Sequence, residues 1–220
     1  GAFARKSFDR IMGMKEAGKT ILFCSHSIYS VEVLCHRALW IEHGRLRMQG
    51  PAAEVTSAYA ASLESPAGGE ETGRTGPMAH AGGGRIIRAT ACAEGVCGTR
   101  VSTVSGVSEL SVTIEFAIDP SLLPPSVAVV FGDAAHRVVA SASSHNDGVT
   151  LSMDAQGRGR CVVIFPALPL LKGRYSITSY LFCEKGLHIY DLADQSISLD
   201  VTQHGVEQGV VTLKHAWLTA

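Results

Sequence analysis

The chain has 220 residues, of which 46% are hydrophobic and 18% charged, a composition that excludes an intrinsically disordered polymer and requires a packed core. Nineteen basic and 20 acidic side chains leave a formal charge of −1. No global field therefore draws the molecule to nucleic acid or to an anionic membrane, and any partner has to be recognised locally. The longest apolar run, Cys161 to Leu171, contains Pro166 and Pro169 and falls well short of the roughly 20 residues that cross a bilayer. The first residues, GAFARKSFDR, lack the blocks of a secretion signal.

In chain order, Phe3, Ser7, Phe8, Ile11, Met12 and Met14 recur at helical spacing until Gly18, which stands where a left-handed carboxyl cap belongs. Thr20 to Cys24 is a short apolar run of β-formers, the pattern of a parallel strand covered on both faces. Ile28 to Arg37 suits a helix with Val31 and Leu34 inward, Leu39 to Glu42 a strand, His43-Gly44 a tight turn and Arg45 to Gln49 a return strand. Pro51 then opens a helix to about Leu63, where its missing donor costs little. This is an α/β fragment, and some sixty residues with so few strands bury little surface by themselves.

Residues 64–84 hold seven glycines and two prolines in 21 positions, which marks a flexible linker between a first part, 1–63, and a second, 85–220. The first part carries eight basic and five acidic groups, the second ten and 12. The second part reads as β throughout. Alternation is clearest in Ser111 to Ile118 and Arg174 to Phe182, with further strands expected at Arg85 to Ala91, Val127 to Phe131, His136 to Ser141, Arg160 to Phe165, Gln195 to Val201 and Gly209 to Lys214. Eight short strands with one apolar face each call for two layers, and an antiparallel sandwich is the economical arrangement.

Several patterns point toward chemistry and dissolve on inspection. Gly13 to Thr20 satisfies G-x-x-x-x-G-K-[ST], but a phosphate loop follows a strand and opens a helix, whereas this match closes a helix and opens a strand. Six cysteines include no C-x-x-C pair and no zinc spacing, so buried free thiols are the default; Cys92 and Cys97 form the only short pair open to a bridge. His136, His145, His188, His204 and His215 show no ligand spacing, and no metal site is expected. Ser25-His26 lies at the carboxyl end of an expected strand, where α/β sheets collect ligands. Tyr175, Tyr180, Phe182, Tyr190 and Trp217 are the available aromatic platforms that could stack on a sugar ring; Tyr180 alternates with Phe182 on one strand face, which describes core packing equally well.

Gly18-Lys19-Thr20-Ile21-Leu22-Phe23-Cys24-Ser25-His26, then Val33-Leu34-Cys35-His36-Arg37, Trp40 to Arg45, and Gly50-Pro51 with Glu54-Val55 and Tyr59 resemble the end of the ATP-binding subunit of an ABC transporter that exports polysaccharide, the Wzt-like O-antigen type. The family commonly has an aspartate where His36 stands. The resemblance implies that His26 is the switch histidine that senses the γ-phosphate, the one catalytic and cofactor-binding residue it assigns here. The family's Walker A loop, signature motif and Walker B residues would precede Gly1, so ATP and magnesium would serve the full-length parent and this chain alone is expected to turn over no ATP.

Val127 to Asp133, Leu171 to Ile177 and Gly209 to Trp217 are similar to the carboxyl-terminal domain of some of these subunits. That likeness implies an immunoglobulin-like antiparallel β-sandwich, mainly β, preceded by an incomplete α/β fragment of the nucleotide-binding domain. It also implies recognition of a terminally modified O-antigen polysaccharide, with Tyr180, Tyr190 and Trp217 as glycan-binding candidates. The expected partners are a second copy of the chain and, through the full nucleotide-binding domain, a transmembrane permease, on the cytoplasmic face of the bacterial inner membrane; no nucleic acid is expected. The alternative is a dimerisation module that touches no glycan.

Overall fold

The computed structural model describes residues 2–25, 28–63 and 83–218, with side chains for all of these except 2–6, 8 and 29. His26 and residues 64–82 of the expected linker lie outside the described residues. The chain divides into two compact units, residues 3–79 and residues 80–220.

The first unit opens with α1 (Ala2–Glu16). Its end is a Schellman closure: Lys19 N donates to Met14 O at 2.9 Å, Gly18 N donates to Lys15 O at 3.0 Å, and Gly18 takes φ +70°. A Cβ is strained at that angle, which is why glycine stands there. The same geometry disposes of the phosphate-loop match, since Gly13 to Glu16 belong to the helix and Gly18 caps it. The strand expected at Thr20 to Cys24 does not form. Those residues have no regular structure and Leu22 is 94% exposed, because a strand is stabilised by a hydrogen-bonded neighbour and none of the described residues lies along it.

α2 (Ile28–Leu34), β1 (Arg37–Glu42), β2 (Arg45–Pro51) and α3 (Ala52–Leu63) follow in the expected order. α2 ends three residues before the expected Arg37, and Pro51 closes β2 rather than opening the helix after it. β1 and β2 form a two-stranded antiparallel hairpin. Trp40 meets Tyr59 edge-on at 5.5 Å, the Thr56 hydroxyl lies 2.6 Å from Glu32 Oε1, and Lys15 Nζ donates to Val33 O at 3.0 Å, a cation on the last carbonyls of α2. Leu34, Ala52 and Val55 are the buried hydrophobic residues of this unit, among those described.

The second unit is a β-sandwich. In chain order its strands are β3 (Gly84–Ala93), β4 (Val96–Gly98), β5 (Arg100–Val104), β6 (Leu110–Ile118), β7 (Ser126–Gly132), β8 (Val138–Ser143), β9 (Arg158–Phe165), β10 (Gly173–Phe182) and β11 (Ile189–Thr202). They form a four-stranded sheet ordered β4-β3-β6-β9 and a five-stranded sheet ordered β5-β11-β10-β7-β8. Strict alternation in β6 sends Leu110, Val112, Ile114, Phe116 and Ile118 inward, all at most 4% exposed, against Val129, Phe131, Ile177, Leu181, Ile197 and Leu199 of the other sheet. Each such side chain contributes about 1.5–3 kcal/mol on burial.

Three departures from the expected strands have physical causes. β4 and β5 escaped the pattern because they are short and interrupted by Gly98 and Thr99, where the chain switches from one sheet to the other. The switch delivers β5 alongside β11 in the same direction, Ser198 facing Arg100 and Thr202 facing Val104, so the sandwich is antiparallel except at this pair. Gly209 to Lys214 is not a strand. It touches the body through one isolated bridge, Leu170 to Val211, and Leu213 remains 77% exposed.

Tyr175 ties the start of β10 to the preceding chain, its hydroxyl donating to Leu171 O at 2.8 Å. This is the corner bond expected of immunoglobulin-like sandwiches, made four residues back along the chain. The Glu94-Gly95 turn between β3 and β4 places Cys92 opposite Cys97, and the two are joined in a disulfide rather than left as thiols. The remaining cysteines are free: Cys24 is exposed, Cys35 and Cys161 half-buried and Cys183 buried.

Candidate functional site

The pleat of the five-stranded sheet sends the odd residues of β10 into the core and the even ones outward. On the outer face Tyr180 and Phe182 stack with centroids 5.6 Å apart and planes at 17°. Beside them runs a floor of small side chains. Register places Ala128 next to Tyr180 and Val130 next to Thr178, with Ser143 and Ser141 of β8 beyond these two, and Gly132 next to Ser176. On the other flank Leu192 lies beside Tyr180 and Ile189 beside Phe182.

Polar groups border this face. The Thr178 hydroxyl bonds Asp194 Oδ1 at 3.1 Å and accepts the Gln195 amide at 2.9 Å, where β11 breaks register and Gln195 takes φ +42°. Burial pushes the Tyr180 phenol above its ordinary range, and the Asp194 carboxylate adds to the shift, so the hydroxyl is a neutral donor at physiological pH. A half-buried aromatic pair, a floor without bulky side chains, and a bordering hydroxyl and carboxylate can hold a ring-shaped polar ligand by stacking on one side and hydrogen bonds at its edge.

Of the three aromatic candidates, only Tyr180 stands on this face. Tyr190 is 2% exposed: its ring lies over Gly83 and meets His188 edge-on at 5.6 Å, so it is a core residue and offers no surface to a ligand. The register break between Leu181 and Phe182 turns it inward, which alternation alone does not reveal. Trp217 is 85% exposed, edge-on to His215, on the tail that leaves the body at the Leu170–Val211 bridge. The bridge adjoins the start of β10, whereas Tyr180 is near its end. Phe182, which alternation already sets on one strand face with Tyr180, stands here too; Asp194 is the member that no sequence pattern marks.

Two cavities lie elsewhere. One of about 220 Å³ opens between the edges of the two sheets and is lined by Val127, Val129, Leu151, Cys161 and Val163, with the Cys161 thiol pushed up to about 11 by burial. The other, a shallow groove of about 590 Å³, runs past Gly84, Arg85, Ile86, Asp119 and Asp191. There the Asp191 carboxylate accepts the Ile86 amide at 2.7 Å, a charge-assisted bond between the sheets. Among the described residues no three His, Cys, Asp or Glu side chains come together as a metal set, and no helix is long and apolar enough to cross a membrane.

Residues 81–213 match the Wzt C-terminal domain family. The O-antigen export system ATP-binding protein RfbB of Myxococcus xanthus is 29% identical over 231 aligned positions, covering 98% of this chain and 51% of that protein. The teichoic acids export ATP-binding protein TagH of Listeria monocytogenes serotype 4b (strain F2365) is 46% identical over 57 residues, 26% of this chain and 17% of that protein. The chain thus spans about half the length of the first relative and a smaller share of the second. A crystal structure of the C-terminal domain of wzt superposes with a TM-score of 0.52 at 17% identity, over 63% of this chain and 85% of that one, a likeness of fold. With that domain accounting for more than half of its length, the chain belongs to the Wzt C-terminal domain family.

Proposed function

We propose that the β-body of this chain recognises an O-antigen polysaccharide for ATP-driven export, holding a sugar ring on the outer face of the five-stranded sheet. The observation that carries the reading is the Tyr180–Phe182 stack beside the small-residue floor of Ala128, Val130 and Gly132, within a sandwich whose relatives include an O-antigen export protein. The terminal modification of the glycan would be read by the polar border at Thr178 and Asp194. In the assembled transporter the chain would sit on the cytoplasmic face of the inner membrane, with a permease as partner.

ATP and magnesium would act in the parent protein, where hydrolysis of ATP supplies the energy of transport and magnesium neutralises its phosphates. Of this chain's residues, His26 would touch the nucleotide. Gly13 to Thr20 do not fit a phosphate, since they end in a capped helix carboxyl terminus, the wrong pole for an anion. No magnesium-dependent ATP turnover is expected from the 220-residue chain.

The test is a calorimetric titration of the whole chain with bacterial O-polysaccharides, intact and end-trimmed. Tyr180→Ala is expected to weaken binding to intact glycan at least tenfold, and end-trimming to do the same. Undiminished binding by a folded Tyr180→Ala variant would reject this face.

A second reading, self-association, is favoured by the tail: Val206, Leu213, Trp217 and Leu218 are 77–97% exposed on a segment tied down by the Leu170–Val211 bridge and by the Gln203 amide, which donates to Gly205 O and Glu207 O, an apolar surface that a second copy would cover. Light scattering on a Leu213→Ser/Trp217→Ser variant decides it, a dimer that becomes monomeric being the expected result.

A further inference from the structure

The outer face of the four-stranded sheet carries a concentration of charge that the glycan reading does not use. Register aligns two rows across β3, β6 and β9: Arg85, Ala117 and Arg158 in one, Arg88, Glu115 and Arg160 in the next. A bulge at Ile87 is what permits this. Arg85 faces Ala117 and Arg88 faces Glu115, so residues three apart stand on the same face where a regular strand would put them on opposite ones. At the far edge, Gly157 turns the chain into β9 at φ +75°; a Cβ there would run into the Ile118 carbonyl oxygen, so glycine fixes where Arg158 begins.

All four arginines are exposed, and none makes an ion pair or a side-chain hydrogen bond among the described residues. Glu115, flanked by Arg88 and Arg160, is the one carboxylate in the two rows. Residues 85–220 contain ten basic and 12 acidic groups, a net −2 by subtraction, yet these two rows carry four positive charges and one negative. Neighbouring strands are about 4.8 Å apart and same-face residues about 7 Å along a strand. The guanidinium groups therefore spread over a flat area on the order of 10 by 7 Å, too open for a single ion. An extended polyanion fits it, with successive acidic groups each taken by a planar two-pronged donor.

We propose that this face binds an acidic polysaccharide, one bearing repeated carboxylate or sulfate-like groups, and so holds the charged repeats of a glycan whose end is read on the opposite sheet. The inference rests on the glycan reading above and adds to it the charge class of the substrate. Contact with the Arg85-Arg88-Arg158-Arg160 face is electrostatic and weakens with salt; contact at Tyr180 is not.

The experiment titrates the whole chain with polygalacturonate, dextran sulfate and neutral dextran at 50 and 300 mM salt, beside vesicles containing phosphatidylglycerol. Both polyanions are expected to bind the wild-type chain at low salt, to lose at least tenfold in affinity at high salt, and to lose as much in Arg88→Ser/Arg160→Ser. Neutral dextran should not compete. Glu115→Gln, which removes the opposing charge without removing a donor, should tighten binding two- to fivefold, a gain that misfolding cannot produce. Tyr180→Ala should leave polyanion binding unchanged, so undiminished recognition of the glycan end by that variant, with polyanion binding intact, defeats only the glycan-end reading. The proposal is overturned if the polyanions fail to bind at 50 mM salt, if the double substitution binds as well as wild type, if Glu115→Gln does not tighten, or if the vesicles bind and the polyanions do not.

Discussion

The two units of this chain use similar hydrophobic content in opposite ways. In residues 80–220 alternation converts sequence directly into burial: Leu110, Val112, Ile114 and Phe116 are fully buried, and each faces a core residue of the second layer. In residues 3–79 the same residue types stand in the open, with Leu22 at 94%, Leu39 at 57% and Ile41 at 62% exposure. A sandwich closes on itself, so each sheet supplies the other with a partner. A two-stranded hairpin with three helices has too little surface of its own to do so. Among the described residues the second unit thus supplies its own cover, and the first keeps Leu22, Leu39 and Ile41 exposed.

The sharpest break of that contrast is a matched pair of truncations. Phe116→Ala is expected to cost about 3–5 kcal/mol, from lost transfer energy and an unfilled cavity in a two-layer core. Leu39→Ala, which removes a side chain already more than half in water, should stay within about 0.5 kcal/mol. Segment-resolved hydrogen exchange reads both, since it reports local opening in each unit separately. Equal losses would mean that the first unit has a core as cohesive as the second.

A smaller effect tests whether the corner bond, rather than apolar burial alone, sets the stability of β10. Tyr175→Phe keeps the ring and deletes the donor to Leu171 O. The expected cost is about 1–2 kcal/mol, the worth of a buried hydrogen bond whose acceptor is then unsatisfied. Urea unfolding should show a lower midpoint and an unchanged slope; a change in slope would point to a rearranged strand instead.

Legibility followed the same division. Where a strand is flanked on both sides, as β6 and β10 are, burial enforces the period of two and the sequence announces it. Where a segment depends on a neighbour, pattern misleads: Thr20 to Cys24 has the composition of a strand and none of the described residues paired along it, and Gly209 to Lys214 has one bridge. The site shows the same limit. Tyr180 and Tyr190 look alike in sequence, but a register break buries one and leaves the other half in water. The arginine rows were equally hidden, because Arg85 and Arg88 share a face only through a bulge. A linear pattern carries periodicity; it does not carry the places where a partner strand interrupts it.

The smallest predicted effect uses pH to separate the units. Burial raises Tyr180, and the Asp194 charge adds to it; burial likewise raises Tyr175, with a contribution from Asp133. For a folded-state value above the ordinary 10.0, the unfolded chain loses its proton first as pH climbs. Between the two values the folded state binds more protons, so stability falls with rising pH and the contribution is complete below pH 10. Alkaline loss of exchange protection should therefore begin above about pH 10 in β10 and its neighbours. Tyr180→Phe, which cannot ionise, should make that loss shallower and leave protection below pH 9 as it was. Because the phenol is only half-buried, solvent screens the charge of Asp194 and the change is modest. An identical alkaline slope in Tyr180→Phe would show that the ring is solvated more fully than its stack with Phe182 implies, and would weaken the case for a dry sugar-binding surface at that point.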